Sequence, residues 1–441
     1  MSNHILIKNK INPFKNIIKV ASDKSLSLRC VLLASVAIGV SRISNLLESE
    51  DVKNALKTIK KLGINYKKKN GVYKIEGFGL NGYNSNNKIT INAGNSGTLG
   101  RLILGLCVKS KKKIKLIGDN SLSKRDFSRV IEPLKLFGVN IKSNNSYLPV
   151  EILGTEFLRP INYLENRGSA QCKSAVMLAA LHAPGITKLK AKKSRNHTEI
   201  LFKHLNIPLK IKSKGEYDLI ELKGLNQFNS FDYQIPGDIS SSAFFIVLTL
   251  LSRKSKIVIK KININERRIG IVKILNAMNS NIIFKNKKVY KGEKIADIYV
   301  KSVNKFKAIN CPANFNSFAI DEFLIIFLVA AKANGISIFR NLGELNKKES
   351  PRLDIAINFL KMIGIRVKRK KDDIKIYGKP NLSLNGEYIV KNFLKDHRVF
   401  MMACIAALTF GGNWKINDKD SINTSFPKFL NILKSLGAKI S

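Results

Sequence analysis

Asn92-Ala93-Gly94-Asn95-Ser96-Gly97-Thr98-Leu99-Gly100-Arg101 is a strand-to-helix junction made of small polar residues. It follows the alternating run Lys88, Ile89, Thr90, Ile91, which reads as a strand, and leads into Leu102–Cys107, an apolar run of helical character. Gly94 and Gly97 admit positive φ and close approach to the backbone. Ser96 or Thr98 can cap the helix, whose first N–H groups have no partner within it. Such a helix start attracts anions, and Arg101 stands one turn further in to hold one. Alone, Asn-Ser-Gly-Thr describes an ordinary capped turn as well as a ligand site. Repetition decides between them, because the chain builds this arrangement six times.

The repeat is clearest where its helices end. An apolar-x-x-apolar-x-x-apolar run followed by Gly or Asn occurs at Leu56/Ile59/Leu62-Gly63, Ile131/Leu134/Phe137-Gly138, Val272/Leu275/Met278-Asn279, Ile357/Leu360/Ile363-Gly364 and Leu430/Leu433/Leu436-Gly437. A sixth, Phe202/Leu205-Asn206, has Glu199 at the first position. The intervals are about 70–85 residues, the mark of a repeated structural unit. Gly and Asn best tolerate the left-handed conformation that closes a helix. Before each end lies a strand-like run, such as Ser41–Leu46, Lys113–Ile117 or Ile336–Arg340, and before that a more apolar helix: Val31–Ile38, Leu102–Cys107, Ser174–Leu181, Ala243–Leu251, Glu322–Ala331 and Val399–Leu408. One apolar and one amphipathic helix per unit places the former at a domain centre and the latter further out.

At 441 residues, 44% of them hydrophobic, the chain has material for two globular domains. The N-terminal residues alternate apolar positions with Lys8, Lys10, Lys15 and Lys19, unlike a signal peptide, and no apolar run reaches the ~18 residues that span a bilayer. A cytoplasmic protein without membrane attachment is expected. Cys30, Cys107, Cys172, Cys311 and Cys404 lack metal-ligand spacing and are expected as core thiols. The formal net charge of +46 ordinarily suggests nucleic acid or another polyanion. The lysines, however, are spread along the whole chain with abundant Asn and Ile, which a compositional drift explains more simply. A polyanion-binding protein, with steeply salt-dependent DNA affinity, stands as the alternative of another class.

The polar residues gather at helix starts. Before the apolar helices stand Asp23-Lys24-Ser25 with Arg29, Asn95–Arg101, Ser169-Ala170-Gln171-Cys172-Lys173, Gly237-Asp238, Asp321-Glu322 and Asp396-His397-Arg398. Before the amphipathic ones stand Lys124-Arg125 with Arg129, Ser194-Arg195-Asn196-His197, Lys348-Glu349-Ser350 with Arg352, and Thr424-Ser425. Converging, these would form a multipoint anion site.

These motifs, from Ser22 to Ile440, closely resemble those of the 5-enolpyruvylshikimate-3-phosphate (EPSP) synthase family, nearest its class II members. The resemblance implies an inside-out α/β barrel in two domains, with six βαβαββ repeats, three per domain. It implies one domain at residues 22–235, the other at 1–21 plus 236–441, and an active site in the interdomain cleft. It further implies enolpyruvyl transfer from phosphoenolpyruvate to the 5-hydroxyl of shikimate 3-phosphate, with no metal or organic cofactor. A monomer with no specific nucleic-acid partner is expected. By the same resemblance, shikimate 3-phosphate meets Lys24, Ser25, Arg29, Ser169, Gln171, Arg195, Asp321 and Lys348. Phosphoenolpyruvate meets Lys24, Asn95, Ser96, Gly97, Thr98, Arg129, Gln171, Arg352 and Arg398. Asp321 is the candidate base for the 5-hydroxyl, and Glu349 with Lys24 or Lys348 the candidates for proton transfer. Asp321 could equally cap the helix that follows it. The related UDP-N-acetylglucosamine enolpyruvyl transferase is the runner-up; it would need a nucleotide-sugar site and usually has a reactive loop cysteine, and no cysteine here sits in a matching loop motif.

The chain departs from the family pattern at Pro351, Asn196 and Asp126, where Asp, Asp and Pro are usual. Thr424 follows the class II pattern. Proline suits a first helical turn, so Arg352 is expected to keep its direction. Gly97 occupies a position that is Ala in some family members insensitive to the inhibitor glyphosate, so a sensitive enzyme is expected. A Gly97→Ala variant should lose inhibition more than turnover; equal inhibition constants for the two forms would refute this.

Overall fold

The computed structural model describes residues 3–81, 83 and 88–441. All six helix ends close in the left-handed region, at Gly63 (φ 89°), Gly138 (97°), Asn206 (56°), Asn279 (74°), Gly364 (75°) and Gly437 (95°). The local demand for positive φ thus accounts for the periodic Gly and Asn.

The chain forms two compact units, one of residues 1–21, 236–290 and 294–441, the other of residues 22–235 with 291–293. In the second unit, three four-stranded sheets share one plan, a parallel pair followed by two antiparallel strands. Ile89–Asn92 runs parallel to Ile114–Ile117, which pairs antiparallel with Tyr147–Leu153 and that strand with Asn140–Asn144. Asn162–Glu165, Ile186–Lys192, Tyr217–Lys223 and Leu209–Lys214 repeat the order. In the remaining sheet, Asp232–Gln234 pairs parallel with Ile38–Ser44, tying the end of the unit to its beginning.

The first unit uses the same plan with help from the N-terminus. Lys15–Ile18 lies parallel to Lys256–Asn263, and His4–Ile7 lies antiparallel to Gly411–Asn417, the partner of Leu384–Val390. A third sheet orders Ile336–Phe339, Asp373–Tyr377 and Val367–Lys370, with a parallel bridge from Asn310 to Ile338.

The apolar helices are the cores. Every side chain of Ile239–Leu251, Phe323–Ala331 and His397–Phe410 is buried. A helix with no polar face can only be surrounded, and each fully buried Leu, Ile or Phe contributes about 1.5–3 kcal/mol. Phe339 meets Phe323 and Phe327 edge-on with centroids 6.0 and 5.1 Å apart, and the Phe323 and Phe327 rings lie 5.8 Å apart at a tilt of 33°. The amphipathic helices bury one stripe each; Glu50–Lys61, for example, buries Val52, Ala55, Leu56 and Ile59.

Many of the lysines have a place in this plan. Tyr66–Lys69, Leu209–Lys214, Ile283–Tyr290 and Val367–Lys370 are the outer strands of their sheets and carry rows of exposed cations. Charged side chains on an open edge discourage pairing with another chain.

Helices Gly97–Leu106 and Ala170–Ala180 approach closely at Gly105, where a Cβ would collide with the Ala175 carbonyl oxygen and lie 3.1 Å from its carbon. Backbone cannot yield as a side chain does. Gly105→Ala is therefore expected to cost about 1–3 kcal/mol, seen as a lower denaturant midpoint; an unshifted midpoint would contradict the close approach.

Candidate functional site

In the unit of residues 22–235, hydrogen bonds join the starts of three apolar helices. Asp23, Ser96 and Ser169 cap Lys24–Ser35, Gly97–Leu106 and Ala170–Ala180, accepting from Leu26 N–H (2.9 Å), Leu99 N–H (3.3 Å) and Cys172 N–H (3.2 Å). Of the two candidate caps at the second helix, Ser96 serves. Thr98 is used otherwise, its Oγ1 accepting from Gln171 Nε2 at 2.8 Å while Gln171 Oε1 accepts from Arg101 Nη1 at 2.6 Å. Arg101 also donates to the Asp126 carbonyl (3.0 Å) and lies 5.0 Å from the Phe127 ring centroid. Arg101 is thus the strut between two helix starts.

Asn95 bridges Asp119 Oδ2 (2.8 Å) and Arg125 Nη2 (2.7 Å). A Cβ on Gly97 would lie 2.9 Å from Arg101 Nη1 and 3.1 Å from Arg125 Nη1, so a methyl there presses on two cations. Lys24 Nζ meets Asp51 Oδ2 at 3.0 Å. Arg29 is buried and donates to Thr198 Oγ1 (2.8 Å), Ser174 Oγ (2.9 Å) and the Ser25 carbonyl (3.0 Å). Arg129 and Arg195 are half-buried at the starts of Ser128–Leu136 and His197–His204. Buried His197 puts Nδ1 2.6 Å from Glu293 Oε1.

The second cluster belongs to the other unit and centres on Arg352, which is 1% exposed. Its Nε and Nη2 donate to the two oxygens of buried Asp396 at 2.8 and 3.2 Å, Nη2 also to Glu349 Oε2 at 2.5 Å, and Nη1 to Asp321 Oδ1 at 3.2 Å. Burial opposes the guanidinium charge, but the carboxylates of Asp396, Glu349 and Asp321 outweigh it and push the Arg352 pKa up. Burial likewise pushes Asp396 up, and Arg352 more than reverses this, holding the carboxyl below its ordinary value. Asp396 also accepts from Ser350 Oγ (2.8 Å) and caps helix His397–Phe410 through Arg398 N–H (2.9 Å).

Asp321 does not cap a helix. Phe323–Ala331 starts after Glu322, with no side-chain cap bond, and Asp321 instead faces Arg352, Lys348 Nζ (3.7 Å) and Arg398 Nη2 (3.8 Å). Its carbonyl accepts from Arg398 Nη1 at 2.9 Å. The cations come from two other helix starts, so tertiary charge overrides the local capping preference. His397 Nδ1 lies 3.1 Å from Thr424 Oγ1.

The departures have local accounts. Pro351 occupies the cap position of helix Arg352–Met362, where no helical N–H is required, and its carbonyl accepts from Ile355 N–H at 3.0 Å. Asp126 accepts from Ser128 N–H (2.6 Å) and Oγ (2.7 Å) at the next helix start. Burial raises its pKa, but these bonds and the Arg129 charge prevail and hold it low. Asn196 takes the cap position of His197–His204 without a side-chain cap bond.

All five cysteines are buried. Burial pushes the Cys107 and Cys172 thiols up to about 12 and Cys311 to about 11, and it raises Cys30 and Cys404 as well. None is a ready nucleophile. Among the described residues, no group of three or more His, Cys, Asp and Glu is placed to hold a metal ion, and no helix is long and apolar enough to cross a membrane.

The family model for EPSP synthase (3-phosphoshikimate 1-carboxyvinyltransferase) matches residues 8–433. The chain belongs to the EPSP synthase family. A 3-phosphoshikimate 1-carboxyvinyltransferase of Ruthia magnifica is 38% identical over 98% of this chain and 97% of its own length. That of Streptococcus pyogenes is 34% identical over 98% of each chain. The solved EPSP synthase of Acinetobacter baumannii superposes with a TM-score of 0.86 at 32% identity, covering 99% of both chains. The enolpyruvyl transferase NikO of Streptomyces tendae, at 14% identity and a TM-score of 0.75, shares the fold. The chain is thus an enzyme of this family with the enolpyruvyl transferase fold.

Sequence reasoning missed the supporting residues of this EPSP synthase family member: Asp51 against Lys24, Ser174 and Thr198 against Arg29, and Asp396 as the fork for Arg352. Ser174, Thr198 and Asp396 lie within the polar motifs at helix starts, whereas Asp51 carried no such signal. Asp396→Asn removes one member of a buried pair and is expected to cost about 3–5 kcal/mol at pH 7. Because the folded pKa of Asp396 is depressed, its contribution is present above the unfolded carboxyl value of about 3.9 and is lost as pH falls through the folded one. The stability gap between parent and variant should therefore narrow below about pH 4; a gap constant with pH would refute the assignment.

Proposed function

We infer that the chain transfers the enolpyruvyl group of phosphoenolpyruvate to the 5-hydroxyl of shikimate 3-phosphate, releasing phosphate. The observation that carries this reading is the family match over residues 8–433, supported by relatives of equal length named for this activity. The two substrates bring two carboxylates and two phosphates, and the two clusters supply the cations to meet them. The guanidinium forks of Arg29, Arg129, Arg195, Arg352 and Arg398 suit planar carboxylate and phosphate oxygens, while Lys24 and Lys348 hold charge and can move a proton.

In this reading shikimate 3-phosphate is held by Lys24, Ser25, Arg29, Ser169, Gln171, Arg195, Asp321 and Lys348. Phosphoenolpyruvate is held by Lys24, Asn95 to Thr98, Arg129, Gln171, Arg352 and Arg398. Its anionic groups compete with Glu349 and Asp321 for Arg352, while the buried Asp396 fork keeps the guanidinium in place. Asp321 takes the proton of the 5-hydroxyl as its oxygen attacks C2, and the methylene carbon gains a proton from Glu349, Lys24 or Lys348. The tetrahedral intermediate then loses a proton from the new methyl group, the double bond re-forms, and the C–O bond to phosphate breaks. We read the enzyme as a cytoplasmic monomer without a nucleic-acid partner.

Phosphate release from phosphoenolpyruvate measures this directly. The parent should release phosphate only when shikimate 3-phosphate is present, not with UDP-N-acetylglucosamine. Asp321→Ala should lose about 10²–10⁴-fold in rate, the usual worth of a positioned general base. No release from the folded parent would overturn the reading, and an unimpaired Asp321→Ala would remove Asp321 from it.

A further inference from the structure

Behind Arg29 lies a buried ion pair that the proposed chemistry does not use. Lys173 Nζ meets Glu199 Oε1 at 2.6 Å, with side chains 0% and 3% exposed. Lys173 belongs to helix Ala170–Ala180 and Glu199 to helix His197–His204. One residue along each helix, Ser174 Oγ lies 2.7 Å from Thr198 Oγ1, and these two hydroxyls accept from Arg29 Nη2 and Nε at 2.9 and 2.8 Å. Two successive rungs thus join the same pair of helices. The first is ionic and sealed from water; the second carries the arginine.

A buried ion pair is weak evidence for stability, since desolvating both charges offsets most of their attraction. Its attested use is to specify one register, because any slip leaves two charges buried and unpaired. Hydroxyl pairs lack that discrimination, for a hydroxyl can rotate to another acceptor. The Ser174–Thr198 rung alone would set the arginine loosely. The ionic rung beside it admits a single alignment.

We propose that Lys173 and Glu199 are positioning residues for Arg29. Their pairing fixes the register of helix Ala170–Ala180 against helix His197–His204 and so the two hydroxyls that orient the guanidinium toward shikimate 3-phosphate. The proposal rests on the reading of Arg29 as a ligand of that substrate.

The test is the double variant Lys173→Met with Glu199→Gln in the full chain, which removes both charges at nearly constant volume. The unfolding midpoint should stay near the parent's, since neutral replacement of a buried pair is often harmless. The KM for shikimate 3-phosphate should rise about tenfold, the scale of weakening one charge-assisted hydrogen bond, with kcat within about twofold. A merely structural pair would lower the midpoint and leave KM alone, and that result overturns the proposal. In an Arg29→Lys background the double variant should add little to KM; a full independent increment there also overturns it. Should the double variant fail to fold, Thr198→Val, which removes one acceptor of Arg29, must give the same rise in KM, and an unchanged KM sinks the idea. Calorimetry of the parent with shikimate 3-phosphate separates the two levels. No binding by the parent refutes the functional reading itself; binding by the parent with an unchanged variant refutes only the positioning role.

Discussion

A helix buried on all sides must still satisfy the N–H groups of its first turn, and this constraint shapes both the fold and the site. The six apolar helices have no polar stripe along which to meet water, so polarity concentrates at their starts. Asp23, Ser96, Ser169, Asp238 and Asp396 cap five of them. Partial positive charge, small residues and capping oxygens then come together where the chain leaves the core. The features that make such helices possible are those suited to receive anions.

The exception is instructive. Helix Phe323–Ala331 has no side-chain cap, and the carboxylate that could have capped it, Asp321, lies among Arg352, Lys348 and Arg398. A group committed to a cap would be less free to accept a proton or bind a hydroxyl. Asp396 shows the complementary solution: it caps a helix and also holds Arg352 through two oxygens. One carboxylate is built into the frame, and another is left at its edge.

The excess of lysine is spread in a way that the fold makes intelligible. Several sheets end in exposed strands bearing Lys or Arg at successive positions, as in Tyr66–Lys69 and Val367–Lys370. Whatever drove the composition toward lysine, these positions tolerate it, because an edge strand gains from charge that a central strand could not bury.

What the sequence determined by itself was whatever depends on near neighbours along the chain. The six left-handed helix ends are visible because Gly63, Gly138, Asn206, Asn279, Gly364 and Gly437 each answer a backbone demand within one turn. Apolar runs mark the buried helices, but five of the six begin before their apolar run, as at Lys24 against Val31, because the first turn is polar. The motifs at those starts were enough to find the family. What only the tertiary structure decided was which charge meets which. Asp321 as cap or as partner of three cations, Asp396 as the fork of Arg352, and Lys173 opposite Glu199 all depend on residues from separate helices. Such pairings follow from electrostatics in a dry interior, where distance and burial set the energy and sequence separation does not enter.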